Sequence, residues 1–564
     1  MNATIDEPFT QQVASLNHRI ASAVAHKDAW VRVGIRERIA LLEQAINGML
    51  AVADDWVAEA CRAKRLRPDT PEAGEEYISG PMTTVRGIRL LIQALEEGGA
   101  PRPLSAVPGP AGNVVVHAFP RTWLEHLVYS GMRVDVWIQG GRPASQGAIY
   151  REKAQGRFPP GRVCCVLGAG NVSSIGPLDA FYKLIVEDQV VILKMNPVLD
   201  YLVPLLSKAF AGFMGRGVLQ IVTGGPEIGD YLCSHPQVDT IHLTGSERTH
   251  DAIVWGATDE ERVRRKAARS PRISKPMTSE LGCVTPVMIV PDRWTDGDLR
   301  YHAANVASMV IHNASFNCTA AKVIVTARSW PQRETFLRYL EEYFSRVRPR
   351  FAYYPGAEER YRLFRAHYPH ARSCGAAGQR EIPWTILPDV APDASEFALV
   401  NEAFCAVLAE VTLESADAES FMGDAVRFAN DVVRGSLSCV VIARGATRRR
   451  HRAAFDAMLA GLRFGAIGVN VWTGANFALG EPSWGAFPGH AVDAIGSGIG
   501  VVHNAMLFDF PEKSIVYGPF RMLPKPVWFA DHRTLHRLGR LATWFEARPS
   551  WAKLPLIALT GFRG

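Results

Sequence analysis

The chain has 564 residues, 48% of them hydrophobic and 21% charged, with a formal net charge of +6. A chain of this length buries a large core and divides into two or three domains, with the composition of an ordinary globular protein. The charge is too mild for the size to imply a nucleic-acid partner.

Nine cysteines are scattered without metal-ligand spacing, and the one adjacent pair, Cys164-Cys165, sits inside an apolar run. That usage fits a reducing compartment. Met1–Glu7 lacks the basic and apolar regions of a signal peptide. No apolar stretch approaches the ~18 residues that span a bilayer. A cytoplasmic location is the expectation.

Residues 11–65 and 75–97 read as helices, with Ile35, Ile39, Leu42, Ala45, Ile46 and Met49 at helical spacing. Residues 98–112, rich in Pro and Gly, read as a connector. Val114-Val115-Val116 and residues 133–138 read as strands. From residue 160 short β-rich runs (163–167, 190–193, 218–223, 240–244) alternate with helices starting near Pro177, Tyr201, Pro226 and Ser246. Such alternation predicts a parallel, doubly wound sheet, the usual platform for a dinucleotide. A second alternating series runs through 286–290, 322–326, 385–387, 406–411 and 439–443. The fold class is therefore two doubly wound α/β domains with a small β-element. Residues 1–279 hold the N-terminal helices and a dinucleotide-binding domain, with the β-element around 130–150. Residues 280–500 form a catalytic domain. Residues 501–564 supply an oligomerisation strand and a basic tail.

Cys318 lies in the stretch Asn313-Ala314-Ser315-Phe316-Asn317-Cys318-Thr319, between a helical run and the apolar run Val323-Ile324-Val325. At such a helix–loop–strand junction a thiol faces a cleft with backbone N–H groups nearby. A lone cysteine is more often a small buried hydrophobe, so the argument depends on its company. Gly168-Ala169-Gly170-Asn171 is followed 23 residues later by Lys194; then come Leu243-Thr244-Gly245-Ser246, Glu280-Leu281-Gly282, Asn313 five residues before Cys318, and Glu402-Ala403-Phe404.

In order and spacing these motifs resemble the aldehyde dehydrogenase superfamily over residues 160–500. The resemblance implies Cys318 as nucleophile, Glu280 as the base that activates water, and Asn171 as an oxyanion donor. It also implies a bound NAD or NADP. Lys194 would hold the adenosine ribose and Gly245 and Ser246 the pyrophosphate. Glu402 would take the nicotinamide ribose, with Phe404 packed beside it. The implied reaction is oxidation of an aldehyde to a carboxylic acid through a thiohemiacetal and a thioester. The alternatives are a CoA-acylating or reductive relative and a non-catalytic dinucleotide-binding member. The carboxylate at position 280 favours hydrolysis over acylation, and retention of Cys318 with Glu280 disfavours a dead scaffold.

Departures bear on the details. Asn196 and Pro197 follow Lys194 where many members carry an acid that favours NAD, so NADP stays open. His250 and Cys283 each stand where a glycine is common. A basic run (Arg262, Arg264, Arg265, Lys266, Arg269, Arg272) reads as a solvated loop, or as a source of an arginine for a cofactor phosphate. The substrate pocket is expected from loops near Trp123, 310–320 and Trp472 to Trp484. In the tail, Leu535, Leu538, Leu541, Ala542 and Phe545 form an apolar stripe. It fits packing on the body or on a sister subunit first, and an interfacial membrane helix second. The runs at 133–138 and 506–510 lie where the family builds oligomerisation strands, so a homodimer or homotetramer is expected.

Overall fold

The computed structural model describes residues 9–564. The reading of Met1–Glu7 lies outside them.

Two sheets organise the chain. The first has six strands in the order Gly498–Ile499, Met277–Leu281, Thr240–Gly245, Val163–Leu167, Val190–Lys194, Leu219–Val222. Its five longer strands are parallel, and Gly498–Ile499 pairs antiparallel at one edge. Val163–Leu167 and Val190–Lys194 are buried at every position. That is why they read as continuous apolar runs rather than alternating ones: helices cover both faces of a parallel sheet. The long helix Ile35–Lys64 packs on this domain, burying Leu42, Met49, Val52 and Trp56.

The second sheet has eleven strands. Its parallel centre runs Ala466–Val469, Ser438–Ile442, Pro286–Ile289, Val323–Ala327, Val407–Leu413, Trp384–Val390. The strand Arg133–Ile138 pairs with Pro511–Tyr517, and that strand pairs in turn with Ala466–Val469. The β-element around 130–150 therefore extends the second sheet, although it adjoins the first in sequence. Residues 506–510 form no strand, only a single antiparallel bridge of Phe508 to Gln146; Leu507 is left-handed at φ 54° and buried, and the pairing with Arg133–Ile138 begins at Pro511. Ser105–Pro108 is an outer edge strand, exposed along its length.

Helix boundaries follow their caps. Thr295 and Asp298 exchange capping-box bonds at the start of Asp296–Ile311, the helix that leads to the thiol loop. The tail stripe is buried against the protein's own body. Leu535, Leu538 and Phe545 are 3%, 7% and 5% exposed, and their helix Leu535–Ala547 packs on Ala73–Tyr77 and Thr83–Glu96. That removes the stripe as an interfacial membrane helix. No helix among the described residues is long and apolar enough to cross a membrane.

Candidate active site

Between the two sheets runs a cleft of about 1010 Å³. Cys318, Glu280 and Asn171 line one part of it. Lys194, Gly245, Ser246, Glu402 and Phe404 line the rest, so the eight residues singled out from the sequence meet in a single cavity.

The thiol is set apart from the other cysteines. Eight of the nine are buried and Cys318 alone is half-buried. Its Sγ stands 3.4 Å from Glu280 Oε1, while Glu280 Oε2 accepts a hydrogen bond from Trp484 Nε1 at 2.8 Å. Glu280 sits on the strand Met277–Leu281, cross-paired with Thr244. Burial pushes its carboxyl up to about 7, with the Asp179 carboxylate adding to the rise; His503, Trp484 and Cys318 oppose it. Burial also drives the Cys318 thiol well above the ordinary range, reinforced by Glu280 and Glu402 and opposed by Lys322. The proton therefore rests on sulfur, and Glu280 is the acceptor beside it.

The loop carrying the thiol is strained. Asn313, Ala314 and Ser315 have φ of 54°, 54° and 70°. None is glycine, and left-handed backbone costs about 1–2 kcal/mol per such residue. Asn313 is bonded on every side. Its N–H donates to Glu75 Oε2 at 2.8 Å, and its Oδ1 accepts from Lys64 Nζ at 2.8 Å. The Tyr353 hydroxyl donates to that Oδ1 at 2.9 Å. Its Nδ2 donates to the carbonyls of Asn171 and Phe316 at 2.9 and 3.1 Å. Asn171 in turn donates from Nδ2 to Phe316 O at 2.9 Å, so one of its two N–H bonds is committed and the other is left for the cleft. On the far side, Trp472 Nε1 donates to Thr319 O at 2.8 Å.

The remainder of the cleft suits a dinucleotide. Lys194 ends its strand as a buried ammonium; burial lowers its pKa against the pull of the Asp200 and Glu227 carboxylates. Gly245 ends the strand Thr240–Gly245, and Ser246 caps Glu247–Val254 by accepting from Thr249 N–H at 3.1 Å. That presents free helix N–H groups toward the cavity. Glu402 faces Lys322 at 3.3 Å. It also lies so close to Gly282 that an added Cβ would stand 1.8 Å from its Oε2. Burial raises the Glu402 carboxyl and Lys322 opposes the rise. Phe404, left-handed at φ 42°, packs on Tyr354 and Phe316 at 5.0 and 5.9 Å. A glycine pressed against a carboxylate, a buried lysine and an open helix start are a donor set that fits the ribose hydroxyls and pyrophosphate of NAD or NADP.

Several expectations need correction. The basic run is a loop only in its last part: Arg262, Arg264, Arg265 and Lys266 lie on the helix Asp259–Ala267, and Arg269 and Arg272 follow it. Arg262, Arg265, Lys266 and Arg272 pair with Asp259, Glu261, Asp251 and Asp230, and none of the run lines the cleft. Trp123 is 83% exposed and stands outside the cavity. His250 is buried beside Asp251, with no backbone approach to the cleft. Sequence reading passed over Lys64, Glu75, Arg350 and Tyr353, and it named Trp484 only as an aromatic of the pocket loops. The buried charges lie far from Cys318 in sequence, and their one local sign was the acidic pair Glu75-Glu76 inside an otherwise small and apolar stretch.

The architecture is thus a pair of doubly wound α/β domains with a thiol and a carboxylate lining the cleft between their sheets. The aldehyde dehydrogenase family model matches residues 157–350 of this chain, about a third of its length. An aminoaldehyde dehydrogenase of Pisum sativum is 40% identical over 78 residues, 14% of this chain and 13% of that one. An NADP-dependent D-glyceraldehyde dehydrogenase of Thermoplasma acidophilum is 33% identical over 108 residues, 19% of this chain and 18% of that one. These stretches span less than a fifth of the curated relatives' length. The fold likeness is broader. The aldehyde dehydrogenase KauB of Pseudomonas aeruginosa superposes with a TM-score of 0.60 over 90% of this chain and 89% of that one, at 16% identity. An indole-3-acetaldehyde dehydrogenase solved with NAD+ gives 0.58 over 89% and 88%, at 17% identity.

Proposed function

We propose that the protein oxidises an aldehyde to a carboxylic acid with NAD or NADP as the oxidant. The observation that carries this reading is the 3.4 Å contact between Cys318 Sγ and Glu280 Oε1 in the cleft. Glu280 takes the thiol proton as sulfur adds to the aldehyde carbon, giving a thiohemiacetal oxyanion on Cys318. The free N–H of Asn171 and the backbone N–H of Cys318 stabilise that oxygen, each such donor contributing about 2.7–4 kcal/mol. The dinucleotide, when bound, accepts the hydride that leaves the adduct carbon. What remains on Cys318 is a thioester. Glu280, its proton released to solvent, deprotonates a water that attacks the thioester; the carbon–sulfur bond breaks, the acid leaves and the thiol is restored.

Lys194 and Glu402 serve as the two ribose anchors, Gly245 and Ser246 as the pyrophosphate site, and Phe404 as the ring that packs beside the nicotinamide end. None of the basic run lines the cleft, so it offers no phosphate clamp that would single out NADP. A homodimer or homotetramer accompanies this reading, with the exposed edge Ser105–Pro108 available for pairing.

The test follows reduced-cofactor absorbance with a panel of aliphatic and aromatic aldehydes, with and without CoA, in wild type, Cys318→Ala and Glu280→Gln. The expected result is CoA-independent turnover lost in both variants. CoA-dependent turnover that survives Glu280→Gln would replace hydrolysis with acyl transfer to a thiol. Cofactor binding without turnover on any aldehyde would leave a dinucleotide-binding scaffold.

A further inference from the structure

Behind the thiol loop lies a buried ion cluster that the proposed chemistry does not use. Glu75, on the helix Ala73–Tyr77, receives Nη1 and Nη2 of Arg350 at 2.7 Å each. Lys64, the last residue of Ile35–Lys64, meets both oxygens of Glu76 at 2.8 and 2.9 Å. Glu75, Glu76 and Lys64 are 4%, 1% and 6% exposed. Charges so deeply buried cost solvation, and pairing them does no more than offset it. A cluster that merely fastened the N-terminal helices to the body would close on itself. This one does not. Each ion pair sends one further bond to the same residue: Glu75 Oε2 to the N–H of Asn313, and Lys64 Nζ to its Oδ1. Asn313 is the first residue of the left-handed run that ends three positions before Cys318, and its Nδ2 reaches the Asn171 carbonyl.

We propose that Lys64, Glu75, Glu76 and Arg350 are positioning residues for Cys318. They grip Asn313 and hold the thiol against Glu280, which makes the N-terminal helices part of the active site. The inference rests on Cys318 being the nucleophile of the proposed reaction. Its physical content is that the strained loop contains no glycine, and that beyond its short internal bonds between Asn313 and Phe316 the ties on Asn313 come from segments distant in the chain. Removing the grip lets Asn313 to Ser315 return to ordinary backbone and carries Sγ away from Oε1. The groups that face the cluster are His312, beside Glu75 and Arg350, Glu72 beside Arg350, Cys61 and Tyr201 beside Lys64 and Glu76, and Tyr353, whose ring lies 4.9 Å from Lys64 Nζ.

The test is the double variant Lys64→Met/Glu76→Gln in the full-length protein. It removes the bond to Asn313 Oδ1 without leaving an unpaired buried charge. Cys318 is alkylated with iodoacetamide across pH in the absence of aldehyde and cofactor, and kcat, KM and cofactor Kd are measured in parallel. The other cysteines are buried, so alkylation reads Cys318. In wild type Glu280 takes the thiol proton as sulfur is alkylated, so the rate is expected to rise as Glu280 ionises, at about 7. In the variant, with Sγ carried away from Oε1, that inflection is expected to be lost and alkylation to follow the thiol's own ionisation at higher pH. kcat is expected to fall by about tenfold or more, as a displaced nucleophile dictates, with cofactor Kd unchanged within about twofold. A lowered unfolding midpoint with an unshifted alkylation profile and unchanged kcat would overturn the proposal, because that is what a purely structural cluster gives. Should the double variant fail to fold, Tyr353→Phe removes the hydroxyl that reaches Asn313 Oδ1 at 2.9 Å and the Asn171 carbonyl at 3.0 Å, and must shift the profile in the same direction by a smaller amount; no shift there also overturns it. A protein that turns over no aldehyde would sink the dehydrogenase reading while leaving the alkylation result to judge the positioning role.

Discussion

Trp484 and Cys318 act on Glu280 from opposite sides: the indole N–H donates to Oε2 at 2.8 Å while the thiol faces Oε1 at 3.4 Å. Both contacts favour the carboxylate form, and burial outweighs them, leaving the group at about 7. For a residue that must act as a base the sign is direct. Above about 7 Glu280 is ionised and able to take a proton; below it the group is neutral, and hydrolysis of the thioester falls by about tenfold per pH unit as a single ionisation requires. Trp484→Phe deletes one of the bonds that oppose burial, so the ascending limb of the kcat profile is expected to move to higher pH, and Glu280→Gln to abolish it. A limb near the ordinary carboxylate value of about 4.3, or one that Trp484→Phe does not move, would show that burial does not tune this carboxyl.

Among the elements, the turn after the strand Met277–Leu281 shows why one small residue there matters. Gly282 leaves just enough room for the Glu402 carboxylate, which Lys322 holds from the other side at 3.3 Å. Gly282→Ala is expected to push that carboxylate out of place without unfolding the domain, since the tip of a side chain is what must move. Losing one charged hydrogen bond to a ribose hydroxyl corresponds to about 1.5–3 kcal/mol, or roughly ten- to a hundredfold in cofactor Kd. Titration of the protein's tryptophan fluorescence with NAD and NADP reads it; a Kd unchanged in both would remove Glu402 from the cofactor site. Glu402 and Gly282 were visible in the sequence because each belongs to a short string at characteristic spacing, as were Lys194, Cys318 and the alternating strands. The contacts that hold these strings in place were not. Glu75 and Asn313 are 238 positions apart, and Glu75 and Arg350 are 275 apart. No periodicity links such pairs; only the closed fold does. Two misreadings have local causes. Met506-Leu507-Phe508 is apolar because it is a buried turn, not a strand, so the pairing with Arg133–Ile138 starts later, at Pro511. The basic run carries acids three and four positions before its arginines, Asp259 before Arg262 and Glu261 before Arg265, which is the spacing of a helix surface rather than of a loop.

At the level of the whole molecule, the C-terminal helix is tied to the body by a second buried network, separate from the thiol loop. Arg86 gives Nη1 to Glu546 Oε2 at 2.8 Å, Nη2 to Glu481 Oε1 at 2.7 Å and Nε to the carbonyl of Leu479 at 2.5 Å. Arg89 and Tyr129 also donate to Glu546, at 2.6 and 2.9 Å. Four separate stretches of chain therefore meet in one network, in which the helix of Arg86 and Arg89 and the Tyr129 segment both reach the Glu546 carboxylate. Burial by itself would raise the Glu546 carboxyl, yet Arg86 and Arg89 outweigh it and hold the group below the usual range. A carboxyl depressed on folding adds stability at pH values above its unfolded pKa and loses it as pH falls through the folded one. Glu546→Gln leaves Arg89 without a counter-ion in a buried site and Arg86 with only Glu481. Breaking one side of such a pair costs about 3–5 kcal/mol. The expected outcome is a lower denaturation midpoint for Glu546→Gln at neutral pH, with the gap to wild type closing in acid as Glu546 itself takes up a proton. The pH profile of Cys318 alkylation is expected to stay that of wild type, because no bond of this network reaches Asn313. An alkylation profile shifted by Glu546→Gln would mean that the two buried clusters are coupled through the helices Ala73–Tyr77 and Thr83–Glu96, on both of which the C-terminal helix packs.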